Sequence, residues 1–295
     1  MTMYRVTHRT TYRYAEAVSA CYGQMHLLPR TAEGQTCRAT RVTIDPAPDD
    51  LRERIDYFGN RAAFYAIHSE HTSLTVTTTS DLSVSRGGLG LIDAPPWEQV
   101  RDRTASPAVD DGWEPTDFLL DSPLVPASPA LADYAGSSFT PGRPVLEALL
   151  DLAQRIHADF DYEPGSTSVT TTVDDVLTAR KGVCQDFAHL AIGCLRALGL
   201  AARYVSGYLE TVPPAGGPRP AGADVSHAWA ALWVPGSGWV DVDPTNQQFV
   251  NDRYVTTAWG RDYSDVPPLK GVIFTKGIEH ELEVVVDVVP LDDPG

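Results

Sequence analysis

The chain has 295 residues, 43% hydrophobic and 21% charged, enough for one large or two ordinary globular domains, each with its own core. A formal net charge of −16 disfavours nucleic acid and anionic membranes as partners, and no apolar run reaches the roughly 18 residues of a membrane-spanning helix. The opening MTMYRVTHRTTYRY alternates like a strand and lacks the apolar centre of a signal peptide, so a cytoplasmic location is expected.

Residues 1–85 read as an all-β module. Tyr4, Val6, His8, Thr10, Tyr12 and Tyr14 alternate along one long strand, and HTSLTVTTTSDLSVS (71–85) is rich in β-branched residues. Turn chemistry falls at Pro29-Arg30, at DPAPDD (45–50) and at Phe58-Gly59-Asn60. Residues 86–143, interrupted by SRGGLG, DAPPW, DSPLVPASP and TPGRP, read as a connecting segment with short helical turns.

Residues 144–295 read as a mixed α and β core. Val145, Leu149, Leu152, Ile156 and Phe160 follow helical spacing behind Pro144, and His157 on that helix is expected at its solvated edge. TVDDVLTAR (172–180) starts with a Thr cap and acids and ends on Arg180, which suits the helix dipole, and Gly182 is the expected stop. A third helix runs from Cys184 to Leu198. Strands follow at 201–210, 224–234 and 238–243, with a Pro/Gly loop at 211–222 that reads first as a simple connection and second as a lip over the cleft. Two closing β runs at 270–277 and 280–291 are placed to return to the first sheet.

The four cysteines do not make a disulfide framework. Cys184 and Cys194 share a helix about 15 Å apart, and Cys21 and Cys37 read as buried free thiols unless their strands are neighbours. Metal-ligand spacing is absent from the sequence, so neither a structural zinc nor a cofactor is expected.

KGVCQDFAHL (181–190) sets Cys184 at the start of a helix, where unpaired N–H groups and the dipole favour a thiolate and can face an oxyanion. A thiol nucleophile needs a base and a group that orients the base. His189 lies about 140° round the same helix and reads as structural. His227, opening the strand SHAWAALWV, is the better base. If the following loop is the three residues Pro235, Gly236 and Ser237, Val234 pairs with Gly238 and His227 lies opposite Thr245. Asp243 is then a diagonal neighbour on the same face. A loop of two or four residues would turn that carboxylate to the other face. Asp241 shares the face further along, and Asp186 reads as a cap or dipole partner of the helix start. Taken singly, each of these residues has a purely structural reading: core cysteine, satisfied histidine, turn aspartate.

RKGVCQDFAHLAIGCLRALGLAARYVSGYLE, SHAWAALWVPGSGWVDVDPTNQ and GRDYSDVPPLKGV resemble the bacterial transglutaminase-like superfamily, and THRTTYRY…MHLLPR resembles the β-rich region that precedes its core. The resemblance covers roughly 1–83 and 145–290. It implies an α+β, papain-like core with Cys184 as nucleophile, His227 as base and Asp243 as orienting acid. It also implies acyl transfer on amides through a thioester, with hydrolysis of a peptide or isopeptide bond first and glutamine transamidation or deamidation second. The animal cross-linking members carry tryptophan directly after the cysteine, where this chain has Gln185. Tyr162, Gln185 and Trp229 are the expected substrate contacts, Lys270 and Arg261 read as solvated surface, and the expected partner is a peptide or protein. A non-catalytic binding module on the same fold is the alternative of a different class.

Overall fold

The computed structural model describes residues 1–87, 94–106, 114–211, 222, 224–277 and 279–291. Alternation builds the first sheet. In β1 (Thr2–Met25), Tyr4, Val6, His8 and Thr10 are buried while Arg5 and Arg9 stay exposed. β2 (Gln35–Asp45), β3 (Asp50–Ile55), β4 (Arg61–Ile67) and β5 (His71–Val84) complete the order β2-β5-β1-β4-β3. The other side of β1 is taken by the last two strands, β13 (Leu269–Thr275) and β14 (His280–Leu291), both antiparallel to it. Cys21 on β1 and Cys37 on β2 are separated by β5, and both are free thiols.

The segment read as a connector packs into the core. α1 (Trp97–Ala105), a 3-10 turn at Glu114–Leu119 and α2 (Pro129–Gly136) follow one another, and Val100, Val125, Leu131 and Phe139 join the main hydrophobic cluster. α3 (Val145–Asp159) buries Val145, Leu149, Leu152 and Ile156 on one face, as its spacing predicts. α4 (Val173–Ala179) is capped by Thr172, whose hydroxyl accepts from the Asp175 N–H at 3.2 Å. Arg180, not Gly182, takes the left-handed conformation that ends α4, with φ of 56°. Between α3 and α4 comes β6 (Asp161–Tyr162), which pairs in parallel with β7 (Lys181–Gly182).

α5 (Cys184–Ala197) is buried all round from Asp186 to Leu195. Phe187, Leu190, Ile192 and Leu195 each contribute roughly 1.5–3 kcal/mol by leaving water. α5 lies on an antiparallel sheet formed by β8 (Ala202–Leu209), β9 (Val225–Val234), β10 (Gly238–Asp243), β11 (Gln248–Phe249) and β12 (Tyr254–Gly260), in the order β11-β10-β9-β8-β12.

β12 is an edge strand, and side-chain amides of the N-terminal module complete its hydrogen bonding. Gln35 donates to the Thr256 carbonyl at 2.7 Å and accepts from its N–H at 2.9 Å. Asn60 treats Trp259 the same way, at 2.7 and 2.9 Å. Behind these clips, Tyr4, Val6, Leu82 and Val84 pack with Tyr208 and Val255. Among the described residues, no helix is long and apolar enough to cross a membrane.

Candidate active site

Three elements deliver the site. Cys184 is the first residue of α5, half-buried, and carries a free thiol. The extended chain before it is fixed on both sides: Glu163 N–H donates to the Gly182 carbonyl at 3.0 Å, and Val183 N–H donates to Asp186 Oδ2 at 2.8 Å. Asp186 also accepts from the Thr167 hydroxyl at 2.6 Å, and burial pushes its carboxyl above the ordinary range. Asp186 is therefore the cap of α5. A Cβ on Gly182 would lie 2.8 Å from the Asp186 side chain, so only glycine lets the two approach.

The hairpin between β9 and β10 has a three-residue loop. Val234 pairs with Gly238, and the ladder continues to Ala230 opposite Val242. That register puts Asp243 one diagonal step from His227, and His227 Nε2 donates to Asp243 Oδ2 at 2.7 Å. The Cys184 side chain is close enough to the imidazole to raise its pKa. With Nε2 taken by the carboxylate, Nδ1 is the ring nitrogen left for sulfur. Burial alone would lower the His227 pKa. The hydrogen bond to Asp243, together with the influence of Cys184 and both charges, outweighs it and raises it to about 10.

Asp243 is fully buried, yet every lone-pair direction has a donor. Oδ2 accepts from His227, from Asn246 Nδ2 at 2.7 Å and from the Tyr254 hydroxyl at 2.7 Å. Oδ1 accepts from the N–H groups of Thr245 at 2.8 Å and Asn246 at 3.2 Å. Burial would raise its pKa; His227, Asn246 and Tyr254 together hold it below the ordinary carboxylate value. Sequence reasoning missed Asn246 and Tyr254. Asn246 carries a local signal, three residues past Asp243 in a DPTN turn; Tyr254 carries none, because β12 reaches the site through the sheet.

Tyr162 sits beside Gly182 through the β6–β7 pair, with its ring edge-on to Phe187 and half its surface exposed. Burial and the neighbouring Cys184, Asp186 and Asp243 raise its pKa, which places the phenol at the rim of the site. Gln185 is half-buried in the first turn of α5. Trp229, expected as a substrate contact, is fully buried: its ring packs beneath His227 and edge-on to Tyr254, with no surface left to touch a ligand. Asp241 pairs at 3.0 Å with Arg86, the first residue after the N-terminal module. His157 Nδ1 meets the Thr245 carbonyl at 2.8 Å, which fixes the turn behind Asp243. His189 is buried, and its Nε2 accepts from the Tyr263 N–H at 3.1 Å. Arg261 forks onto Asp265, and Lys270 lies on β13 in the first sheet. Of the Pro/Gly loop at 211–222, residues 212–221 lie outside the described residues.

Residues 4–83 match the bacterial transglutaminase-like N-terminal region, and residues 133–244 match the transglutaminase-like superfamily. An uncharacterised protein of Mycobacterium tuberculosis is 48% identical over 297 residues, covering 98% of this chain and 93% of its own length. One from Mycobacterium leprae is 34% identical, covering 97% and 98%. The chain belongs to the transglutaminase-like superfamily. The family match begins at residue 133, inside the segment read as a connector, where α2 already packs against α5. The crystal structure of a candidate cysteine protease from Cytophaga hutchinsonii has the same fold, with a TM-score of 0.77 and 22% identity over 100% of this chain and 92% of that one. A protein-glutamine gamma-glutamyltransferase of Pseudomonas aeruginosa is 35% identical over 126 residues, 41% of this chain and 18% of that protein. Superfamily membership brings a cysteine-dependent acyl-transfer or hydrolase fold.

Proposed function

We propose that this protein is a cysteine-dependent amide hydrolase that works through a thioester on a peptide or isopeptide bond. One observation carries this reading: a single buried imidazole is hydrogen-bonded to the Asp243 carboxylate and has its pKa raised by the Cys184 side chain at the start of α5. The pair reacts as thiolate and imidazolium. Sulfur attacks the amide carbonyl, and the Cys184 N–H, unpaired at the helix start, donates to the oxyanion. His227 Nδ1 gives its proton to the leaving amine as the C–N bond breaks. Water, deprotonated by the same nitrogen, then cleaves the thioester and releases the acid. Asp243 keeps the ring oriented and stabilises its charge. Tyr162 and Gln185 flank the thiol and contact the acyl side of the substrate.

The test is labelling with a panel of acyl-directed electrophiles, followed by mapping of the adduct. Label is expected on Cys184 and absent from Cys184→Ala; equal, slow labelling of Cys21, Cys37, Cys184 and Cys194 would leave a binding module instead. The part-length likeness to a gamma-glutamyltransferase supports a second reading, in which a primary amine rather than water resolves the thioester. Incorporation of a fluorescent amine into a glutamine donor separates the two.

A further inference from the structure

We infer that Tyr254 is a positioning residue of the reacting set, the group that keeps Asp243 aimed at His227. The inference rests on the reading of Cys184, His227 and Asp243 given above. Asp243 is fully shielded from bulk solvent, so each protein donor it holds substitutes for solvent. Tyr254 supplies one of three side-chain donors on Oδ2, the oxygen that also binds His227. Its hydroxyl has a fixed direction. Gln248 donates to the phenol oxygen at 2.8 Å, which leaves the phenol hydrogen free to point at Asp243. The reverse arrangement would turn phenol lone pairs toward a carboxylate.

The ring is locked as well as the hydroxyl. Tyr254 is fully buried and packs edge-on to Trp229, with ring centroids 5.4 Å apart. Its strand is the one clipped by Gln35, two residues further on at Thr256. The N-terminal module therefore reaches the imidazole through four links: Gln35, the β12 backbone, the Tyr254 hydroxyl and the carboxylate. With that hydroxyl absent, Asp243 loses a charge-assisted hydrogen bond that keeps it aimed at the imidazole, and Cys184 reacts more slowly near neutrality.

The test is the pH profile of Cys184 carboxymethylation by iodoacetamide, followed by mass spectrometry, in the full chain and in Tyr254→Phe, with Asp243→Asn beside it. Tyr254→Phe keeps the ring and its packing and removes only the hydroxyl. Its rate at about pH 6.5 is expected to fall about three- to tenfold and its acid limb to move upward, in the same direction as Asp243→Asn but less. A Tyr254→Phe profile that overlays the parent, while that of Asp243→Asn shifts, overturns the role of Tyr254 and leaves the reacting set intact. If Asp243→Asn also overlays the parent, the reacting set itself is wrong. Should Tyr254→Phe not fold, Gln248→Leu frees the hydroxyl to rotate and is expected to give a smaller shift of the same sign; an unshifted profile there overturns the inference.

Discussion

Val234 and Gly238 face each other across a three-residue loop, and that pairing decides which way Asp243 points. Side chains alternate with a period of two along β10, so the parity of the loop fixes the face of every residue after it. An even loop would send the carboxylate toward α5 and bring Val242 under His227. Insertion of one glycine after Gly236 is therefore expected to leave a folded protein whose Cys184 alkylation at about pH 6.5 falls on the order of 100-fold. A single insertion with full reactivity would mean that a bulge restores the register.

The Gly182 approach to Asp186 gives a second expectation. A methyl group at this position would collide with the Asp186 side chain at 2.8 Å and push on the turn that carries Cys184. Gly182→Ala is expected to cost about 1–3 kcal/mol in a urea melt and to slow Cys184 modification. Asp186→Ala, which removes the cap without the clash, is expected to cost about 1 kcal/mol.

The raised pKa of His227 sets the alkaline behaviour. Its ordinary value is 6.5 and its folded value about 10, so the folded chain holds this proton more tightly than the unfolded one. The resulting stabilisation is fully present below about pH 6.5 and is lost as pH rises through about 10. Between about pH 7 and 11 the parent is expected to lose on the order of a few kcal/mol that Asp243→Asn does not lose, read as the change in urea midpoint with pH.

Two other histidines act in the opposite sense. Burial pushes both His8 and His189 down to about 4, and for His189 the nearby Arg196 adds to this while Asp262 opposes it. Their neutral forms are the ones the fold uses: His189 accepts the Tyr263 N–H, and His8 sits between Thr10 and Tyr208. The unfolded chain takes up these protons near 6.5 and the folded chain refuses them until about 4, so stability falls as pH drops through that window. His189→Gln is expected to flatten the acid limb of a stability profile by about one proton's worth of slope.

What the sequence made legible was local pattern plus one piece of register. The periodicity of α3 and α5, the Thr172 cap and the odd loop before Gly238 follow from residues close together in the chain. The losses came from pairing at long range. Trp229 shares the His227 face, but that face is roofed by Tyr254 and the neighbouring strands, so the ring is core rather than cleft. The proline-rich stretch before α3 hides Leu131, which lies against Gly193 of α5, and Phe139, whose ring packs on Trp97. Gly182 looked like a helix stop because glycine favours that place; Arg180 takes the turn, and the glycine serves the contact with Asp186. Asp241 and Arg86 find each other only because two sheets meet.

β1 is made long before its outer neighbour β14, with Val6 opposite Val288. During synthesis, at roughly 5–20 residues per second, one flank of β1 stays without its partner until all the elements between β1 and β14 have been made. An unpaired strand flank is a template for pairing with other chains. A truncation that stops before His280 would leave that flank open for good, and such fragments would be recovered as aggregates rather than as a smaller folded protein.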